Sequence, residues 1–134
     1  LVSEYPFDEE LFERCANVTN YIGEVGLDFS NNFKANYDKQ ISAFNYICQS
    51  KFTNSKILLL HSRKAEEEVL NTLKYHSVKF AVFHWYTGSI KTLKKIIDEG
   101  YYFSINPNML KSEKGQKIIK EIPMNRICLL YTSD

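Results

Sequence analysis

Three short apolar runs, each leading into a helical pattern and two of them closed by a histidine, constrain this chain more than any other feature. Lys56–Leu60 carries Ile57-Leu58-Leu59-Leu60 and ends at His61, and Phe80-Ala81-Val82-Phe83 ends at His84. The run Tyr21 to Phe29, Y-I-G-E-V-G-L-D-F, joins the β-formers Tyr21, Ile22 and Val25 to a carboxylate, Glu24, set between Gly23 and Gly26. Strands that are apolar on both sides belong to a buried parallel sheet. An acid at the end of such a strand lies where barrels and doubly wound folds keep their chemistry. The two glycines leave room for close approach of backbone or ligand.

The intervening segments complete the pattern. Pro6 and Asp8 start a short helix through Leu11, Phe12 and Cys15, with Asp8, Glu9 and Glu10 in its first turn, where negative charge is favoured. Residues 28–36 read as a polar loop, after which Tyr37, Ile41, Phe44 and Cys48 fall on one helical face,. Ser62 is placed to cap the next helix, with Ala65, Val69 and Leu73 inward and Glu66 to Glu68 solvated,. Thr87-Gly88-Ser89 supplies a turn and cap for a helix with Ile90, Leu93, Ile96 and Ile97 inward, closed by Gly100,. Tyr101–Ile105 is a strand, Ser112 to Ile122 a helix stopped before Pro123, and Ile127–Leu130 the last strand,. Strand and helix alternating at roughly 25-residue spacing give an α/β chain with a parallel sheet, open or closed. No linker or low-complexity tract divides residues 1–134, which read as a single domain.

Glu24, His61 and His84 thus end successive strands, and in a parallel sheet such ends emerge on one side. One carboxylate and two imidazoles suit a divalent metal such as zinc, iron or manganese. The competing reading is that each histidine is a hydrogen-bonded loop residue, and the residues alone leave the two evenly matched. Arg63 has two readings of equal weight: a clamp for a phosphate oxygen, or an ion pair with Glu66 or Glu67. Trp85 and Tyr86 either wall a pocket, stacking on a base, or pack in the ordinary way. His76, and Lys91, Lys94 and Lys95, read as surface.

Composition removes several classes. A net charge of +1 and a pI near 7.8 give no global basic field for nucleic acid or membrane,, so any such partner is held by a local site. Cys15, Cys48 and Cys128 are far apart and without C-x-x-C spacing, which argues for free thiols in a reducing compartment. No apolar run approaches the ~18 residues of a membrane span. A soluble cytoplasmic protein without a membrane partner is the expectation.

Read together, I-G-E-V-G-L-D-F, L-L-H-S-R with the following K-A, and F-H-W-Y-T-G-S resemble three successive signature segments of the TatD family of metal-dependent deoxyribonucleases. Tyr101-Tyr102-Phe103-Ser104 and Ile122-Pro123-x-x-Arg126-Ile127 stand in family order. The tryptophan form of the third segment is most similar to the QatD-type branch of antiphage gene clusters. The resemblance implies a fragment of a TIM (β/α)8 barrel of the amidohydrolase type, about strands three to seven. It implies two divalent ions (Mg, Mn or Zn), with Glu24 as the bridging ligand, His61 and His84 as the histidine ligands, and Arg63 at the substrate. The implied reaction is hydrolysis of DNA phosphodiester bonds as a 3′-5′ exonuclease or DNase, in antiviral defence or DNA repair, with defence-system proteins as partners.

The chain departs from the family pattern in two places. It has no H-x-H on a first strand, and the family's terminal E-T-D or E-S-D falls with its glutamate on Leu130 and its aspartate on Thr132, Asp134 coming two residues late. The catalytic base is therefore unassigned, and a partial domain, inactive alone, is expected. Residues 128–134, C-L-L-Y-T-S-D, also resemble a translated adapter tail, which makes them a non-native segment on this reading. Two further functions stay open: another amidohydrolase-class metal hydrolase acting on a cyclic amide, lactone or phosphotriester, and a non-catalytic subunit of a defence complex.

Overall fold

Asp8 accepts the backbone N–H of Leu11 at 3.0 Å and so caps the first helix, α1 (Glu9–Asn17),. The structure, a computed structural model, describes residues 6–129. After α1 the chain alternates β1 (Tyr21–Gly26), α2 (Tyr37–Gln49), β2 (Ile57–His61), α3 (Glu66–Tyr75), β3 (Ala81–His84), α4 (Ile90–Asp98), β4 (Tyr102–Ser104), α5 (Glu113–Glu121) and β5 (Ile127–Cys128). All five strands are parallel, and they lie in the sheet in chain order, β1-β2-β3-β4-β5. A doubly wound sheet reverses its strand order at a switch point. Unreversed order is the winding of a barrel, and the described strands form part of one.

The core lies between this sheet and its helices. Leu58, Leu60, Phe83 and Phe103 from the strands meet Val69, Leu73, Leu93 and Ile96 from the helices, all of them fully buried. Phe83, Tyr86 and Phe103 form an aromatic cluster with centroid separations of 5.7–6.4 Å, the range in which offset and edge contacts are favourable. Tyr86 donates its hydroxyl to the Ser89 carbonyl at 2.7 Å, so this aromatic is a core residue and not a pocket wall. Ser89 caps α4 through Thr92 N–H at 3.1 Å. At the other end Gly100 takes φ +90°, as expected of a residue in the C′ position,.

Several local expectations shift. Helix α3 starts at Glu66, with Ala65 and not Ser62 at its cap position; Ser62 is buried, and its carbonyl accepts from Ala65 N–H at 2.9 Å. The inner face of α2 is Gln40, Ala43, Phe44, Ile47 and Cys48, while Ile41 faces out. Gln40 occupies a core position because its amide is fully used there, a point taken up below. His76 is half-buried, with Nε2 2.8 Å from Asn45 Oδ1. Lys91, Lys94 and Lys95 are exposed as expected, and Lys95 pairs with Glu67 at 2.9 Å. The thiols of Cys15, Cys48 and Cys128 are free. The expected last strand is shorter, ending at Cys128; of the suspected tail, residues 130–134 lie outside the described residues. Among the described residues no helix is long and apolar enough to cross a membrane.

Candidate metal centre

The centre is assembled by the pairing of β1 with β2. The register runs Ile22 to Leu58 and then Val25 to Leu60, so β1 spends three steps where β2 spends two. The extra residue is a bulge at Gly23-Glu24, a device that re-aims a side chain. A Cβ at position 23 would lie 2.6 Å from Leu59 Cβ, and one at position 26, where φ is +138°, would collide with the His61 carbonyl. Both glycines are therefore needed for β1 to approach β2, the closeness read from the sequence. Pairing continues beyond the strands through Leu27 N–H to His61 O and Phe29 N–H to Arg63 O, each 2.9 Å. That extension lays Asp28 beside His61.

Glu24, His61 and His84 come together at the strand ends. Glu24 Oε1 is 3.2 Å from His61 Nδ1, and Glu24 Oε2 is 3.9 Å from His84 Nε2. The opposite nitrogen of each ring is held by a buried group. His61 Nε2 is 2.8 Å from Asp28 Oδ2, and His84 Nδ1 is 2.9 Å from Ser104 Oγ. Ser104 reaches His84 because the two are direct partners in the β3–β4 ladder. Its oxygen also accepts the Trp85 N–H at 3.3 Å. Trp85, at φ +50°, lays its ring on His84 with centroids 4.5 Å apart and planes 22° apart.

Burial alone would raise the Asp28 pKa, but hydrogen bonds from the Ser30 hydroxyl and N–H and from His61 outweigh it, and the carboxyl sits below its ordinary value,. Asp28 is thus an ionised acceptor, and His61 Nε2 must donate to it. The other nitrogen, Nδ1, then faces a Glu24 oxygen. Two acceptors at hydrogen-bond distance repel unless a proton or a cation lies between them. His84 is pushed below its ordinary value by burial and by His61, against the pull of Glu24, and so favours the neutral ring a metal ligand requires.

Carboxylate oxygen and imidazole nitrogen are the donor chemistry of a divalent ion, and a buried partner behind each ring is the usual second layer of such sites. Among the described residues no three acidic, histidine or cysteine side chains already stand in metal-holding geometry. Here Glu24 contacts the nitrogens that an ion would take. With its side chain 42% exposed, Glu24 has room to change rotamer. The donors therefore fit a divalent ion as part of its ligand set.

Arg63 is exposed at the end of β2 and has no carboxylate within ion-pair distance among the described residues, so the expected alternative pairing with Glu66 or Glu67 is not made. Sequence reasoning missed Asp28 and Ser104. Asp28 stood in a polar run, and its only signal was its place between apolar Leu27 and Phe29. Nothing in the sequence singles out a serine.

The chain is similar to known proteins in both sequence and fold. The family described as TatD related DNase matches residues 3–130. The chain is 30% identical over 111 residues to human Deoxyribonuclease TATDN3, covering 81% of this chain and 40% of that protein. It is 33% identical over 105 residues to the 3′-5′ ssDNA/RNA exonuclease TatD of Erwinia amylovora, covering 77% and 40%. Among solved structures, an amidohydrolase from Saccharomyces cerevisiae superposes with a TM-score of 0.70 at 22% identity, over 90% of this chain and 43% of that one. The chain spans about two fifths of the length of the curated relatives it matches.

Proposed function

Because this chain belongs to the TatD related DNase family, we propose that the protein hydrolyses DNA phosphodiester bonds from a 3′ end, with Glu24, His61 and His84 as ligands of a divalent-metal centre. One observation carries the reading: two imidazoles, each anchored from behind, turn their remaining nitrogens toward one carboxylate. That is how a chain prepares lone pairs for a cation. A bound pair of Mg, Mn or Zn ions would polarise phosphoryl oxygens and supply hydroxide near neutral pH. Glu24 is suited to bridge them, and Arg63, exposed and without a carboxylate partner among the described residues, is suited to hold a phosphate oxygen in the fork geometry of guanidinium. Trp85, stacked on His84, is suited to wall such a site or to stack on a base.

The tryptophan form of the third segment supports placement near the QatD-type branch, and with it a cytoplasmic role in antiviral defence alongside other defence proteins; DNA repair is the other role open to such an activity. The expected outcome is release of mononucleotides from 3′ ends of single-stranded DNA by the intact protein with Mg²⁺ or Mn²⁺, abolished by EDTA and restored by either metal. EDTA-resistant release, or cleavage of a lactone or phosphotriester in place of DNA, refutes the assignment.

A further inference from the structure

The geometry points to Asp28 as the positioning residue that decides which nitrogen of His61 is offered to the centre. The inference rests on the proposed metal-dependent reading, and it names a residue that acts through a ligand instead of being one.

Asp28 is fixed from every side. Its backbone N–H donates to Gln40 Oε1 at 2.7 Å, and its carbonyl accepts from Gln40 Nε2 at 3.1 Å. Gln40, fully buried, spends its amide on this clamp and on Asn36 Oδ1 at 2.9 Å. One carboxylate oxygen of Asp28 accepts the N–H and hydroxyl of Ser30, and the other meets His61 Nε2 at 2.8 Å. Asp28 itself is 3% exposed. Gln40 is buried on an α2 face otherwise made of Ala43, Phe44, Ile47 and Cys48, and its one evident use there is to hold this aspartate against the end of β2.

The consequence is chemical. Both carboxylates only accept, but Asp28 is buried and clamped at 2.8 Å from Nε2, whereas Glu24 stands 3.2 Å from Nδ1 on a side chain 42% exposed and able to turn away. The geometry therefore favours the proton on Nε2 and leaves Nδ1 for the centre. Asp28→Asn separates this role from packing, because the amide has nearly the same shape. Ser30 presents two donors to Oδ1, so the amide oxygen must stay there and the NH₂ must face His61. Two donors cannot share that contact, and the ring is forced to the opposite tautomer, with Nε2 as acceptor and the proton on Nδ1. A protonated Nδ1 has no lone pair for a metal.

The test uses the intact protein, with Mn²⁺ titrated by calorimetry and His61 read by long-range ¹⁵N–¹H spectra of the metal-free form under alkaline conditions. The expected result is Nε2–H in the parent, Nδ1–H in Asp28→Asn, and a roughly 10–100-fold loss of Mn²⁺ affinity in the variant, the usual range for second-layer partners. A proton on Nδ1 in the parent overturns the inference without any variant. So does an Asp28→Asn protein that keeps Nε2–H, or one that changes tautomer with undiminished affinity. If the parent shows the predicted tautomer and the variant its inversion, yet neither binds Mn²⁺, the positioning role stands and the metal reading fails.

Discussion

Glu24→Gln is expected to lower metal-dependent DNA cleavage by more than about 100-fold, since even outer partners of metal ligands are worth 10–100-fold. The amide keeps the length of the side chain but removes the charge that faces both imidazoles, and a neutral amide is a poor bridge between cations. Stability should hardly move. Glu24 is half-exposed on a bulge and contributes nothing to the packed core, and substitutions at such positions usually stay within about 0.5 kcal/mol. A urea titration beside the cleavage assay separates the two effects. Cleavage within a few-fold of the parent would show that Glu24 is not a ligand.

Gly26→Ala is expected to be the most damaging single methyl in the bulge region. Its Cβ collides with the His61 carbonyl, and the backbone there holds φ +138°. Steric overpacking costs about 1–3 kcal/mol, and a strained backbone conformation adds about 1–3 kcal/mol. A loss on the order of 4 kcal/mol consumes much of the 5–15 kcal/mol typical of a domain. Gly100→Ala is the control. It also has positive φ, +90°, but nothing lies within 4 Å of the added carbon, so only the conformational part, about 1 kcal/mol, should be lost. Equal losses at the two sites in denaturant unfolding would mean that the approach of β1 to β2 is not as tight as described.

These two predictions mark what the sequence could and could not disclose. Apolar runs ending in His61 and His84 were legible because a buried parallel strand has little choice of composition, and because parallel strands deliver their ends to one side. Gly23 and Gly26 were legible as points of close approach. The bulge between them was not, since it is a slip in pairing and exists only relative to β2. The face of α2 was misjudged for a related reason. Hydrophobic spacing put Tyr37 and Ile41 inward, whereas Gln40 holds the buried place because Asp28 offers it two backbone hydrogen bonds. A polar core residue looks like a surface residue until its partners are known. Ser104 is the clearest case: only the register of β3 on β4 makes it the partner of His84.

The family resemblance carried the chemistry further than spacing did, naming Glu24, His61 and His84 as ligands, and the three side chains do meet. It said nothing of the layer behind them. That layer, Asp28 with Gln40 on one side and Ser104 on the other, fixes the rings, and it is where the fold and the proposed reaction are joined.

The most direct measurement is a crystal of the intact protein soaked in Mn²⁺, with data collected at the manganese edge. The account predicts an anomalous peak bounded by the Glu24 carboxylate, His61 Nδ1 and His84 Nε2, with Asp28 and Ser104 still on the far nitrogens of the two rings. Bound manganese elsewhere, with Glu24 still resting against His61, would contradict it.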